Sequence, residues 1–238
     1  MQAATDLELL RIEIETLWPP DARGRIRGPD LVIASAADGV AAAIGTAVAD
    51  EVAAALMTAV TSAAPTREPG MPPTTLEDCR QLLEGRLGAV ALAPMSGPSY
   101  FIPETVVFPS QVPLVRSDSS DVASLRGANP GNWGIQEWAR LLDGLLGPWV
   151  MATHNDQVIS ICHTPASSAR AAEAGTWTRT EFRGQGHAAA TTAAWAALMR
   201  PSGRHLFYST SRANVSSQRV AARLRLRPIG WLWQLTRH

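Results

Sequence analysis

The spacing of apolar residues predicts helices and strands that alternate along the whole chain. The predicted helices cover residues 5–18, 47–62, 76–86, 133–146, 184–199 and 214–225. The predicted strands cover a hairpin over 30–45 that turns at Ala37-Asp38-Gly39, and then 88–93, 99–107, 148–154, 157–164, 171–179, 204–210 and 229–235. The last part of the chain therefore has the order β-β-β-α-β-α-β. Its first helix separates two strands that can pair in parallel through a right-handed crossover.

A segment rich in proline and serine, residues 109–120, interrupts this pattern. Such a composition is typical of a loop or linker. We therefore predict an N-terminal α+β domain of unknown role over residues 1–115 and a second domain over 116–238. The expected fold class is α/β with a mixed sheet.

The composition is that of a soluble globular protein. Of 238 residues, 46% are hydrophobic and 18% are charged, and no run of about 18 apolar residues predicts a membrane span. The N-terminal residues lack the basic start and apolar core of a secretory signal. Cys79 and Cys162 lie far apart and form no disulfide framework, so a cytoplasmic location is expected.

The basic residues narrow the possible chemistry. The chain contains no lysine, which argues against a P-loop, a protein kinase and a pyridoxal enzyme, since each needs a lysine. Residues 170–238 hold eleven arginines and two carboxylates, a net charge of +9, and the rest of the chain carries −9. The basic part could attract a polyanion, but the acidic remainder disfavours broad binding to nucleic acid.

Residues 181–190 read EFRGQGHAAA, where a strand pattern changes to a helical one. A helix start has backbone N–H groups without intrahelical partners and a partial positive charge, so it binds phosphate well. Gly184 and Gly186 would let a ligand approach the backbone, and Arg183 adds charge. The alternative is a glycine turn that merely begins a helix.

The motif in its setting resembles the acetyl-CoA-binding core of the GNAT superfamily of N-acetyltransferases. The family pattern R/Q-x-x-G-x-G/A is matched by Arg183, Gly186 and Ala188, and a second motif at the next helix by Asn214 and Ser217. The phrase LFYSTSRANVSSQRVAARL is also similar to the glycine N-acyltransferase-like branch. The resemblance covers about residues 130–238.

The resemblance implies a GNAT fold, in which acetyl-CoA lies where one strand splays from its parallel neighbour. It implies an acyl-CoA-dependent N-acyltransferase that transfers acetyl from acetyl-CoA to a primary amine by direct attack in a ternary complex. By the same resemblance the coenzyme would contact Thr176, Trp177, Thr178, Arg183, Gly184, Gln185, Gly186, His187, Ala188, Asn214 and Ser217. Arg219 and Arg223, spaced i and i+4, could reach the adenosine end, or form a solvated helix face.

The resemblance also names catalytic candidates. Glu173 is the only carboxylate on the strand before the motif and is the candidate general base, the alternative being an exposed acid at a strand end. The Thr178 amide is the candidate oxyanion donor. The tyrosine that acts as general acid in many members is replaced by Ala221, so Tyr208 is the candidate acid, with Ser209, Ser211 or water as alternatives.

Several alternatives remain open at this stage. The chain could be a non-catalytic acyl-CoA sensor, an amino-acid N-acyltransferase that uses a longer acyl-CoA, or an enzyme that acylates proteins. Residues 1–128 could form a degenerate second GNAT-like half. The five histidines show no metal-ligand spacing. The C-terminal LWQLTRH could be an edge strand that pairs two subunits of a homodimer.

Overall fold

The computed structural model describes residues 4–65, 68, 70–87, 92 and 94–237. The α-helices of these residues are α1 (Asp6–Leu17), α2 (Asp50–Thr61), α3 (Leu76–Leu87), α4 (Ile135–Leu142), α5 (His187–Met199) and α6 (Val215–Arg223). The strands are β1 (Leu31–Ala36), β2 (Gly39–Ile44), β3 (Met95–Phe101), β4 (Leu114–Arg116), β5 (Val150–His154), β6 (Gln157–His163), β7 (Ala171–Glu173), β8 (Gly175–Thr178), β9 (His205–Ser209) and β10 (Arg227–Leu235). In the described ranges no helix is long and apolar enough to cross a membrane.

The chain divides into two compact units, and both are discontinuous in sequence. The first contains the described residues up to Phe101 together with Ser209–Asn214 and those from Pro228 onward, and the second contains Ile102–Tyr208 and Val215–Arg227. These bounds differ from the predicted domains 1–115 and 116–238, because the last strand packs with the N-terminal elements. The two-domain division of the sequence stays a prediction.

The first unit is built around an antiparallel arrangement of β1, β2 and β10. Its strands lie in the order β2-β1-β10-β3. Every residue of β1 is buried, as expected for a strand with neighbours on both edges and cover on both faces. Thr5 caps the start of α1: its side chain accepts from the Glu8 N–H while the Glu8 carboxylate accepts from the Thr5 N–H. The predicted hairpin is confirmed, with Ala36 paired to Gly39.

The prediction of an intersubunit edge at the C-terminus is wrong. β10 pairs with β1 over Leu31↔Leu235 to Ser35↔Trp231, and β3 lies on its other side. Both edges of β10 are therefore used within the unit. A strand with alternating large apolar residues, here Trp231, Trp233 and Leu235, fits this interior position because those side chains pack into a core.

The second unit holds an antiparallel sheet in the order β4-β5-β6-β8 and a separate parallel pair, β7 with β9. The turn between β5 and β6 is formed by Asn155 and Asp156 at φ 48° and 58°, as a type I′ turn requires. One face of this sheet packs against α4 through Trp138, Leu141 and Trp149. α5 covers the other face, and nine of its thirteen residues are buried, which explains its apolar composition.

Two segments differ from the prediction, and a third lies largely outside the described residues. The strand predicted over 99–107 is β3, which ends at Phe101 because Pro103 follows and lacks an N–H for a ladder. The short strand β4 lies within the segment predicted to be a loop, and its pairing with β5 decides its conformation. The strand predicted over 88–93 falls largely outside the described residues.

Candidate functional site

The strand predicted over 171–179 is divided in two at Ala174, and each half pairs with a different neighbour. β7 runs parallel to β9 with Glu173 opposite Phe207, and the Ala174 N–H donates to Phe207 O at 2.9 Å. β8 then pairs antiparallel with β6. β8 and β9 therefore diverge after Ala174, and this confirms the splay that the resemblance implied.

The backbone N–H and C=O groups of β8 point alternately toward β6 and toward the outer edge of the strand. The Arg179 N–H donates to Ile159 O at 2.8 Å. By the two-residue period, Trp177 therefore bonds to β6, while Thr176 and Thr178 direct their N–H and C=O away from it. In keeping with this, Thr178 O accepts from Arg183 Nε at 3.2 Å. In the described part of the chain, β8 is the terminal strand of its sheet.

The glycine turn leads directly into α5. Gly184 has φ 80° and Gly186 has φ 94°, a left-handed conformation in which residues with a Cβ are strained. A Cβ added to Gly184 would meet nothing within 4 Å, so the backbone there faces open space. A Cβ on Gly186 would lie 3.2 Å from Phe108 and from Arg223 Nη1.

The first turn of α5 has backbone donors that no helical bond uses. The first intrahelical bond runs from the Ala190 N–H to Gly186 O at 3.0 Å. The N–H groups of His187, Ala188 and Ala189 precede it and have no intrahelical acceptor. The partial positive charge of the helix start adds to these donors, so the turn is suited to an anion.

Two exposed arginines lie at this turn. Arg183 is anchored by its bond to Thr178 O, and Arg223 on α6 donates to Gly184 O at 3.4 Å. Arg223 thus lies against the turn, whereas Arg219, one helical turn earlier, is exposed on α6. Of the predicted pair, Arg223 therefore contacts the glycine turn, and Arg219 is an exposed residue of α6.

Hydrogen bonds of the Gln185 side chain order the turn, and His187 is one of its partners. Gln185 Nε2 donates to Glu181 O at 3.2 Å, and its Oε1 lies 3.4 Å from His187 Nε2. Burial lowers the pKa of His187 below its ordinary value, and the charge of His154 lowers it further. His187 is therefore neutral at pH 7, and the positive charge of the turn comes from the arginines and the helix start.

Glu173 is buried, with 4% of its surface exposed. The alternative of an exposed acid at a strand end is therefore wrong. Its carboxylate contributes to raising the pKa of both Cys162 and Tyr208, although burial is the main cause for each. The candidate base, the thiol and the candidate acid are therefore neighbours at the point of divergence. Glu181, by contrast, is exposed and lies 3.7 Å from Arg179.

Tyr208 is almost fully buried on β9, with 1% exposed. Its hydroxyl lies 3.3 Å from Thr176 Oγ1, and Ser217 of α6 is a second hydrogen-bond partner. Burial raises the pKa of Tyr208, and these two hydrogen bonds act in the opposite direction. Ala221, at the position of the family tyrosine, is fully buried in α6. Asn214 directly precedes α6, and its N–H donates to Ser211 O at 3.0 Å.

Two contributing residues escaped the sequence analysis. Phe108 packs against Gly186, but it lies just before the segment rich in proline and serine, outside every predicted helix and strand, so no periodicity marks it. Ser160 donates to Trp177 O at 3.0 Å and lies 2.8 Å from Thr178 Oγ1, so it fixes β8 from the neighbouring strand. Its position opposite Thr178 depends on strand register, which the sequence does not show.

Comparison with solved structures identifies the fold. A GNAT-family acetyltransferase from Colwellia psychrerythraea is similar over 100% of this chain and 98% of its own, with 12% identity and a TM-score of 0.52. The chain has the GNAT fold. This confirms the resemblance at the level of the fold, and the glycine N-acyltransferase-like branch stays a prediction.

Two further structures with the GNAT name are similar over shorter parts. A GNAT-family protein from Novosphingobium aromaticivorans shares 18% identity, covers 71% of this chain and 69% of its own, and has a TM-score of 0.46. A GCN5-related N-acetyltransferase-like protein from Streptococcus suis shares 16% identity over 68% of this chain and 69% of its own, with a TM-score of 0.45. No family model and no curated protein matches the sequence.

Proposed function

We propose that this chain is an acyl-CoA-dependent N-acyltransferase that transfers acetyl from acetyl-CoA to a primary amine in a ternary complex. The observation that carries the proposal is the left-handed glycine turn, which opens α5 in the same unit in which β8 diverges from β9. A turn that merely began a helix would not need two left-handed glycines, one of them facing open space.

The turn fits the pyrophosphate of coenzyme A. Backbone N–H groups of His187, Ala188 and Ala189 supply donors, and Arg183 and Arg223 supply positive charge. Gly184 has no side chain and the space beside its backbone is open, so an anion can approach that backbone closely. The net charge of +9 over residues 170–238 favours a ligand with several phosphate charges.

The outer edge of β8 fits the pantetheine part. Thr176 and Thr178 direct backbone N–H and C=O groups to this edge, so two amides of an extended ligand could pair with them as a further strand would. Trp177 bonds to β6, and it is therefore left out of this role. Asn214 and Ser217 keep their roles on the strength of the resemblance alone.

The thioester of acetyl-CoA would supply the acyl group. Residues near the point where β8 diverges from β9 would stabilise the oxyanion and transfer the protons. The Thr178 N–H would stabilise the oxyanion, because it points to the same open edge. Glu173 would take the ammonium proton of the acceptor, directly or through water. Tyr208, held as a neutral phenol by its raised pKa, would give a proton to the leaving thiolate.

Calorimetric titration with acetyl-CoA tests the proposal. We compare the wild type with Gly184→Trp and with the matched control Gly203→Trp, since both glycines have positive φ and open space around a Cβ. Both variants carry similar backbone strain, but only the first puts an indole ring over the turn. We expect micromolar binding by the wild type and the control and at least about a tenfold loss in Gly184→Trp.

A second candidate function is a non-catalytic acyl-CoA sensor, and the buried Ala221 in place of the usual acid favours it. A panel of acyl-CoA donors with amines, amino acids and protein acceptors separates the two. Release of free thiol with any acceptor supports the enzyme, and binding without release supports the sensor. Folded wild type that binds no acetyl-CoA or longer acyl-CoA would overturn both.

A further inference from the structure

The first unit has an open strand edge at β2, far from the glycine turn in sequence. Ala36 pairs with Gly39 across the two-residue turn, so alternate residues of β2 bond to β1 and the others, Val40, Ala42 and Ile44, direct their backbone groups outward. Ile44 O accepts from the Ile26 N–H at 2.9 Å, which supports this assignment. In the described ranges no strand pairs with β2 at Val40 and Ala42.

A groove of about 620 Å³ runs along this edge. Arg11 and Ile14 of α1 line one side, Ala54 and Met57 of α2 line the other, and β2 lies between them. The two helices cover opposite faces of β2, because Leu7 of α1 packs at Gly39 while Val40 and Ala42 belong to the core shared with α2. The open backbone groups therefore lie between two helical walls.

This edge lacks the features that usually prevent pairing. β2 reads GVAAAI, without proline and without a charged residue, and its residues are only half buried at four of six positions. Met57, on the α2 wall, is one of the exposed large apolar side chains. An apolar edge with open donors and acceptors is the surface to which an extended peptide adds as a further strand.

The helical walls formed by α1 and α2 favour one of two possible occupants, a second copy of this chain or a single peptide. A second copy of this chain would bring its β2 together with its own α1 and α2, and these helices would meet the walls before the strands could pair. A single extended peptide has no such flanking helices and can reach the bottom of the groove. The recessed position of β2 therefore favours a peptide over a copy of the chain.

The charges of the groove favour a peptide with a carboxylate. Three arginines and two carboxylates line it, Arg11, Arg23, Arg25, Glu15 and Asp50, so its formal charge is +1. Asp50 is already shared by Arg23 at 2.6 Å and Arg25 at 3.0 Å. Arg25 Nη1 is buried and has no hydrogen-bond acceptor in the described part of the chain. A carboxylate on the bound segment would supply that acceptor.

We propose that the groove along β2 binds an extended, apolar peptide segment bearing a carboxylate, by strand addition to Val40 and Ala42. This goes beyond acyl transfer and does not depend on the coenzyme site. It gives the first unit a role in capturing a polypeptide partner.

The test selects peptides from a phage-displayed library of random nonapeptides on the purified full chain. The affinity of an enriched, fluorescently labelled peptide is then measured by anisotropy. Ala54→Trp would fill the groove, and Ala55→Trp is its matched control, since Ala55 is its exposed neighbour on α2 but does not line the groove. We expect Ala54→Trp to weaken binding at least about tenfold and Ala55→Trp less than about twofold.

Two further measurements are specific to the mode of binding. In an added strand, every second backbone nitrogen of the peptide faces β2. Methylation of these nitrogens should abolish binding, and methylation of the other set should leave binding unchanged. Arg25→Gln should weaken acidic peptides more than their amidated forms. No enriched peptide, equal effects of the two tryptophan variants, or no effect of methylation would overturn the proposal. So would a wild-type dimer that Ala54→Trp makes monomeric, because the occupant would then be a second copy.

Discussion

The hydroxyl of Tyr208 lies 3.3 Å from Thr176 Oγ1, across the gap that opens between β9 and β8. The bond joins the two strands one step beyond their last backbone hydrogen bond, from Ala174 to Phe207. A phenol therefore lies at the base of the divergence although the helix position of the usual acid holds Ala221. Whether this phenol transfers a proton can be measured.

Tyr208→Phe removes the hydroxyl and keeps the ring. If Tyr208 is the general acid, we expect kcat to fall by about 10²-fold with little change in the affinity for acetyl-CoA. Because burial holds the pKa of Tyr208 above its ordinary value, wild-type kcat should show no loss from tyrosine ionisation up to about pH 10. Tyr100→Phe, the other tyrosine, is the control. Equal kcat in all three proteins would exclude Tyr208 as the acid.

Glu173→Gln replaces the candidate base by a neutral group of the same shape. We expect the rise of kcat/KM with pH that reports the base to disappear, and the rate at neutral pH to fall by about 10²-fold. The measurement is a pH profile of acetyl transfer, with calorimetry to show that acetyl-CoA still binds. Glu181→Gln, an exposed carboxylate on the following turn, should leave the profile unchanged. A wild-type profile in Glu173→Gln would assign Glu173 a structural role only.

Cys162→Ala tests the alkaline stability of the second unit. Burial raises the pKa of the Cys162 thiol, so the folded protein keeps a proton that the unfolded chain releases above its ordinary thiol pKa. Stability is therefore fully present below about pH 8.5 and falls by up to about 1.4 kcal/mol per pH unit above it.

The measurement is the free energy of unfolding by urea between pH 7 and 10. We expect the alkaline fall to be smaller in Cys162→Ala than in the wild type, even though the variant is less stable at pH 7 because it leaves a cavity. Cys79, whose thiol pKa burial also raises, contributes its own fall, so the double variant should be flatter still. Parallel curves for wild type and Cys162→Ala would contradict this.

Asp30→Ala tests an ion pair within the first unit, in which the buried Asp30 carboxylate binds Arg237 just after β10. Asp30 Oδ1 accepts from Arg237 Nη2 at 2.6 Å and Nε at 2.9 Å, and Oδ2 accepts from the Arg237 N–H at 2.9 Å. The Asp30 side chain is only 4% exposed, so its loss leaves donors without their acceptor. We expect a loss of about 3 kcal/mol.

Asp118→Ala is the matched control for that variant. Asp118 pairs with Arg116 at 2.7 Å, but the two side chains are 53% and 48% exposed, so water replaces the lost contact. Its removal should change the free energy of unfolding by less than about 1 kcal/mol. Equal losses in the two variants, measured by urea unfolding at pH 7, would show that burial does not set the strength of the Asp30–Arg237 pair.

The sequence determined the local structure and the glycine turn. Helical spacing and proline fixed α1 within one residue at each end, and Asn155-Asp156 marked a tight turn because few residues tolerate two left-handed conformations in succession. The motif around Gly184 and Gly186 could be recognised from the sequence for the same reason, because glycine adopts left-handed conformations without strain. These features depend on neighbours in sequence, so the sequence carries them.

Only the tertiary structure decided how distant segments pair and what they bury. The division of residues 171–178 at Ala174 follows from competition between β6 and β9 for one strand, which no local pattern reveals. The burial of Glu173, the contact of Phe108 with Gly186 and the interior position of β10 have the same origin. Backbone hydrogen bonds between strands and the exclusion of water from side chains depend on residues far away in the chain. These residues come together only when the chain folds, so no local sequence pattern identifies them.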